Sequence, residues 1–197
     1  MYIKKLLLSI FDFIFNERVI YWLVSFYIKH MKLKIKNAYG RFIVNRISNK
    51  GVGCHIYGDA IIHDSENLQL GDYVRIGGGA FLFCTGGISI GDNTQISRNV
   101  VIYSANHNVN GESIPYDDSY ICKNVEIGRS VWIGMNVVIT PGVSIGDGAI
   151  IGMGTVVSKN VPAGAFVVGA QQRIIKYRNM DEFYTKDKKE QWFGKIY

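Results

Sequence analysis

An aliphatic residue recurs at every sixth position through most of the chain, and glycine often follows it directly. Fourteen positions hold this register: Ile56 and Ile62, then Leu70, Ile76 and Leu82, then Ile90, Ile96 and Ile102, then Ile127, Ile133, Ile139, Ile145, Ile151 and Val157. Four residues after each of them a second inward site should be small or β-branched, because the two share a narrow interior. Eleven of the fourteen comply, with Ala60, Val74, Ala80, Thr94, Val100, Val131, Val137, Val143, Ala149, Thr155 and Val161. Helices repeat near 3.6 residues and strands near 2, so a period of six predicts short strands joined at regular corners. Gly71, Gly77, Gly91, Gly128, Gly134, Gly146 and Gly152 are expected at those corners, in conformations that a β-carbon resists. Three hexapeptides make one coil, as from Ile127 to Ile145, and stacked coils bury one elongated core.

The exceptions fall at one corner. Glu66, Gly86 and Asn106 occupy sites that should be small and apolar, and the register then slips by two residues before Leu70, by two before Ile90 and by nineteen before Ile127. The longest slip, residues 108–126, is polar and holds Gly111, Pro115 and the pair Asp117–Asp118, as expected of an exposed functional loop. Upstream of the repeats, two polar stripes recur at helical spacing: Lys5, Ser9, Asp12 and Asn16, then Ser25, Lys29, Lys32 and Lys36. The apolar faces they leave include Phe11, Ile14, Trp22, Leu23 and Phe26. The expected organisation is an N-terminal amphipathic helical segment (1–49), a β-helix (50–175) with a protruding loop (108–126), and a tail (176–197) with a short helix.

Composition fits one domain: 197 residues, 48% of them apolar, are enough for a continuous core. Cys54, Cys84 and Cys122 form neither a paired framework nor a C-x-x-C zinc spacing, which favours reduced thiols in the cytoplasm. The net charge of +6 is uneven, with eight Lys or Arg and no Asp or Glu from Arg18 to Gly58. Such a block attracts an anionic membrane surface, a phosphate-bearing substrate or nucleic acid alike; no base-reading motif accompanies it, so nucleic acid is not expected as a partner. The apolar runs Leu6–Phe15 and Val19–Ile28 are too short and too interrupted for a membrane span, and Asp12 with no small-residue cleavage site argues against a secretory signal. Two roles stay open for residues 1–40: peripheral contact with the inner face of the cytoplasmic membrane, and capping of the exposed end of the core.

Taken together, the hexapeptide register, Gly91-Asp92-Asn93 with His107 sixteen residues after its glycine, Ser130-Val131-Trp132-Ile133-Gly134-Met135, and Gly152-Met153-Gly154-Thr155-Val156-Val157-Ser158-Lys159 closely resemble the left-handed β-helix acyltransferases of the hexapeptide-repeat family, of the bacterial sugar and polysaccharide O-acetyltransferase type. The resemblance covers roughly residues 50–175. It implies an all-β, left-handed parallel β-helix, although parallel crossovers are ordinarily right-handed. It also implies a homotrimer with the cofactor groove between adjacent prisms, and transfer of acetyl from acetyl-coenzyme A to a sugar hydroxyl. His107, at the broken corner where the insertion begins, matches the catalytic base, a role that suits histidine near neutral pH. By the same resemblance Trp132 flanks the pantetheine arm, Gly134, Met135, Gly152 and Met153 offer main-chain contacts, and Ser158 and Lys159 reach toward the nucleotide end. Arg173, after Gly169-Ala170-Gln171-Gln172, matches a basic position that contacts the cofactor phosphates; Gln171 stands where proline is frequent.

For the acceptor, Phe83, Tyr103 and Tyr116 are candidates for an apolar platform under a sugar ring, and Asn106 and Asp117 for polar contacts. Asp117, Asp118 and Glu112 are candidates to orient His107, and spacing does not choose among them; for any one of them a solvated loop charge is the favoured reading. No metal is expected: zinc enzymes on this scaffold need three histidines, and no histidine follows His107. Direct transfer needs no acyl-carrying thiol. Amino-sugar N-acetylation, acetylation of a xenobiotic, and a non-enzymatic structural β-helix are the alternative readings.

Overall fold

The computed structural model describes residues 16–169 together with Asp181, Glu182, Thr185 and Lys189. Its body is a three-sided parallel solenoid. The first face holds β1 (Asn49–Lys50), β4 (Leu68–Leu70), β7 (Ile88–Ile90), β12 (Val125–Ile127) and β15 (Ser144–Ile145). The second holds β2 (His55–Ile56), β5 (Arg75–Ile76), β8 (Gln95–Ile96), β13 (Trp132–Ile133), β16 (Ile150–Ile151) and β18 (Phe166–Val167). The third holds β3 (Ile61–His63), β6 (Phe81–Phe83), β9 (Val101–Tyr103), β14 (Val138–Ile139) and β17 (Val156–Val157). The chain visits the faces in that order, completes five coils and starts a sixth, where Val161 bridges to Ile145 and β18 follows.

Thirteen of the fourteen register positions are buried, Ile62 being half-exposed, and all eleven small or β-branched partners are buried as well. Burying a Val, Leu or Ile side chain contributes about 1.5–3 kcal/mol, so this column is the main source of cohesion. Thr94 and Thr155 are the polar members of the column, and the Thr94 hydroxyl donates to the Gly128 carbonyl (2.8 Å) and accepts from the Val131 N–H (3.1 Å).

Two details of the register differ from expectation. Glu66, Gly86 and Asn106 do not take the inward slots at the irregular corner; Leu68, Ile88 and Val125 do, each two residues before the next aliphatic site and each almost completely buried. The extra residues bulge outward, so the core pattern is unbroken. The glycines after the aliphatic sites also serve another purpose. Left-handed φ values lie two residues later, at Tyr73, Asn93 and Asn136 among others, whereas Gly71 and Gly134 have none. A β-carbon on Gly134 would sit 2.6 Å from the Met153 nitrogen, so these glycines let successive coils touch.

Before the solenoid runs a helix, α1 (Glu17–Phe26), that continues through a π turn (Tyr27–Met31) into α2 (Lys32–Arg46). Asn16 caps it by accepting the Arg18 N–H at 3.0 Å, and Ile47 ends it in extended conformation. Helix α2 packs on β2. Gly40 and Gly58 make this close approach feasible: a β-carbon on Gly40 would lie 2.0 Å from the Ile56 oxygen, and one on Gly58 1.6 Å from the Lys36 oxygen. Ile43 and Val44 pack against the core and Ile47 enters it. Lys36 is ion-paired to Asp59, and the Lys36 ammonium holds that carboxyl below the usual carboxylate range. The pair therefore contributes above the ordinary carboxylate value and is lost as pH falls through the lowered one.

The capping role thus falls to α2, while α1 and the π turn bury none of their residues. Of the upstream stripe, Lys5, Ser9 and Asp12, with Phe11 and Ile14, lie outside the described residues. In the expected tail Asp181, Glu182 and Thr185 are helical, with the Thr185 hydroxyl donating to the Asp181 carbonyl at 2.8 Å; most of the tail, and Arg173, lie outside the described residues.

Candidate active site

The long excursion at the irregular corner opens and closes as a hairpin. Strand β10 (Ala105–His107) pairs antiparallel with β11 (Tyr120–Cys122), placing His107 opposite Tyr120. Ser104 anchors the base: its hydroxyl donates to the Phe83 carbonyl (2.8 Å) and accepts the Gly86 N–H (2.9 Å), while its carbonyl accepts the Lys123 N–H (2.7 Å). Between the strands, Asn108 accepts the Asp117 N–H on its carbonyl and donates its own N–H to Ser119. Asp117 in turn accepts from the Ser119 N–H and hydroxyl.

This loop delivers His107 to one end of a run of aromatic rings. The imidazole stacks on Tyr116 with centroids 3.9 Å apart and planes within 12°, and meets Tyr120 at 4.6 Å. Tyr120 meets Phe83 at 5.5 Å, Phe83 meets Tyr103 at 5.2 Å and His63 at 5.9 Å, and Phe81 contacts both Tyr103 and His63. The residues His63, Phe83 and Tyr103 stand in register on β3, β6 and β9, so the stacking of coils aligns them along the outer edge of the third face. The predicted platform of Phe83, Tyr103 and Tyr116 is thus assembled beside His107. His63, in register with Phe83, and Tyr120 adjoin the same rings and were not anticipated, Tyr120 because the pairing of β10 with β11 stands outside the repeat. Asn106 is not brought in: it is exposed and, by strand alternation, faces away from the side that carries Ala105 and His107.

The residues expected at the cofactor divide between two edges of one prism. Trp132, on β13, is 57% exposed; Met135 and Met153 lie on successive coils at the corner after it and are exposed, with Gly134 and Gly152 beside them. The Met135 carbonyl accepts the Gly154 N–H at 2.8 Å, which ties the two coils together at this corner. Ser158 and Lys159 are exposed just beyond β17, on the corner from which the His107 hairpin projects two coils earlier.

No thiol stands ready as an acyl carrier at the core. Cys84 is buried, and burial together with Asp64 and Glu66 pushes its thiol up to about 12; at neutral pH it carries almost no thiolate. Cys122 is exposed at the end of β11. Among the described residues no three His, Cys, Asp or Glu side chains group as metal ligands, and no helix is long and apolar enough to cross a membrane.

Comparison with known proteins agrees with this architecture. Residues 118–159 match the bacterial transferase hexapeptide (six repeats) and residues 68–104 the hexapeptide repeat of succinyl-transferase. The chain is 32% identical over 143 residues, 68% of its length, to 70% of a putative lipopolysaccharide biosynthesis O-acetyl transferase, WbbJ, of Escherichia coli K12. It is 38% identical over 104 residues, 52% of its length, to 51% of the galactoside O-acetyltransferase of the same organism. Among solved structures, a galactoside acetyltransferase in complex with coenzyme A superimposes with a TM-score of 0.60 at 24% identity, over 78% of this chain and 86% of that one, a likeness of fold.

Proposed function

The chain belongs to the hexapeptide-repeat acetyltransferases, and from that premise we propose that it transfers acetyl from acetyl-coenzyme A to a sugar hydroxyl in a capsular or lipopolysaccharide glycan, with His107 as general base. The observation that carries this reading is the placement of His107: a half-buried imidazole, fixed by a hairpin and by Tyr116, at the end of an aromatic run suited to the face of a sugar ring. Acetyl-coenzyme A supplies the acetyl group as a thioester. His107 takes the hydroxyl proton while the oxygen bonds to the carbonyl carbon, and returns it to the sulfur as the carbon–sulfur bond breaks, so no covalent enzyme intermediate is needed. Trp132, Met135 and Met153 offer an apolar strip for the pantetheine arm, and Ser158 and Lys159, with Arg173, meet the nucleotide end.

We further propose that the working unit is a homotrimer. One prism carries the Trp132 strip and the His107 corner on different edges, and a neighbouring prism set against it would bring one of each together. The experiment mixes two inactive variants, His107→Ala and Trp132→Ala, by joint refolding, and follows acceptor-dependent release of thiol from acetyl-coenzyme A. Random assembly leaves about a quarter of sites with both residues intact, so activity should return to that order. Activity that stays at the level of the separate variants contradicts a site shared between subunits.

Helix α1 supports the membrane role of the N-terminal segment at the inner face of the cytoplasmic membrane. Its exposed Tyr21, Trp22, Leu23 and Phe26 adjoin Lys29, Lys32 and Lys34, and each basic residue near an anionic leaflet contributes about 1 kcal/mol. Full-length protein is expected to float with vesicles containing anionic lipid at low salt, and the full-length Trp22→Ser/Phe26→Ser variant to remain in the soluble fraction. Equal flotation of the two would show that α1 does not make the contact.

A further inference from the structure

A groove of about 610 Å³ lies between α2 and the corner that joins the second and third faces in the first coils. Lys36, Tyr57, Arg75, Gln95, Arg98 and Met135 line it, and Asp59 is the one carboxylate on its wall. The Lys36 ammonium is committed to that carboxylate. Arg75, on β5, and Arg98, one coil further on, are exposed and form no ion pair among the described residues. The groove therefore presents two guanidinium groups with no fixed counter-charge. Its floor passes Gly77 and Gly78, whose missing side chains let the Ser97 backbone and the Asp59 carboxylate pack close beneath it. Guanidinium forks match phosphate oxygens in pairs, and two on adjacent coils suit a doubly charged group.

We infer that this groove binds the phosphate or diphosphate of a phosphate-linked sugar acceptor. The inference rests on the acetyltransfer reading and names the acceptor class for it. Two sources of phosphate are conceivable, the acceptor and coenzyme A, and position favours the acceptor. Gln95 pairs in register with Trp132, and Met135 lines the groove's end, so the groove runs directly into the strip assigned to the pantetheine arm. The residues assigned to the nucleotide end, Ser158 and Lys159, lie three coils beyond Arg75, about 14 Å along the axis at 4.7–4.9 Å per strand, and at a different corner. The cofactor's phosphates thus occupy one end of the site and the groove receives a phosphate at the other.

The test is calorimetric titration of inorganic pyrophosphate into full-length wild type, His107→Ala and Arg75→Gln/Arg98→Gln, with acetyl-coenzyme A titrated in parallel. Wild type and His107→Ala should bind pyrophosphate alike, more weakly as salt rises, and the double variant about tenfold or more weakly, the order expected on losing charge-assisted hydrogen bonds. Acetyl-coenzyme A should bind all three alike. Because no acetyl transfer is read, failure of the catalytic assignment leaves this result unaffected. Pyrophosphate binding that is undiminished in the double variant, whose fold is checked by its melting curve, overturns the site. Loss of acetyl-coenzyme A affinity in the double variant overturns the acceptor assignment and gives the groove to the cofactor.

Discussion

Replacement of His107 by alanine is expected to lower acetyl transfer by about 10²–10⁴-fold, the usual contribution of a positioned general base, while acetyl-coenzyme A still binds. The side chain projects from the β10–β11 hairpin, and His107 is not among the residues of the buried core cluster. The melting curve should therefore stay close to that of wild type. Tyr116 and Tyr120 lose a stacking partner, which loosens the loop and leaves the coils in place. The check is kcat with saturating acetyl-coenzyme A, together with direct cofactor binding. A folded variant working within twofold of wild type would remove His107 from the chemistry.

The largest structural effect is expected at Gly58. An alanine β-carbon there would meet the Lys36 oxygen at 1.6 Å and the Lys36 carbonyl carbon at 2.4 Å, and these are helix backbone atoms that cannot swing aside. Helix α2 must then lift from the first coil, separating Gly40 from Ile56, exposing Ile43, Val44 and Ile47, and parting Lys36 from Asp59. The ion pair is about a third exposed on both sides, so it adds little; apolar contact and backbone overlap dominate. A cost of about 3 kcal/mol is expected, at the upper end of overpacking effects, or about 6–12 °C in apparent Tm for a chain of this size. Since a solenoid is stabilised by nearest neighbours, hydrogen exchange should rise first in the first and second coils. Gly148→Ala is the control: no atom lies within 4 Å of its β-carbon, and only its φ of +69° opposes the change, at about 1–2 kcal/mol. Equal melting of Gly58→Ala and wild type would contradict the docking of α2.

The core was legible because it repeats. Each inward position depends on residues six or fewer away, so Ile133 and Val137 announce themselves from local spacing, and the long slip before Ile127 marks where the chain leaves the prism. What depended on contact between coils was less legible. The glycine after each aliphatic site looks like a turn residue, and only the approach of Gly134 to the Met153 nitrogen shows it to be a spacer between coils. At the irregular corner, counting four residues onward led to Glu66, Gly86 and Asn106, whereas bulged residues shift the slot to Leu68, Ile88 and Val125. In the site, His107, Phe83, Tyr103 and Tyr116 were accessible from the register and the loop. Tyr120 was not, because its place depends on an antiparallel pairing that the hexapeptide period does not encode. The groove at Arg75 and Arg98 was hidden as well: α2 forms one wall, and nothing local to Gly40 or Gly58 reveals that the helix lies there.

The central claim, acetylation of a sugar hydroxyl with His107 as base, is tested most directly by incubating the protein with acetyl-coenzyme A and phosphate-linked glycan repeat units and mapping the products by mass spectrometry. Wild type is predicted to add an acetyl group to a sugar oxygen, as an ester removed by mild alkali, with stoichiometric release of coenzyme A thiol, and His107→Ala to add almost none in the same time. An alkali-stable acetyl amide on an amino sugar, or ester formation at the wild-type rate by His107→Ala, would contradict it.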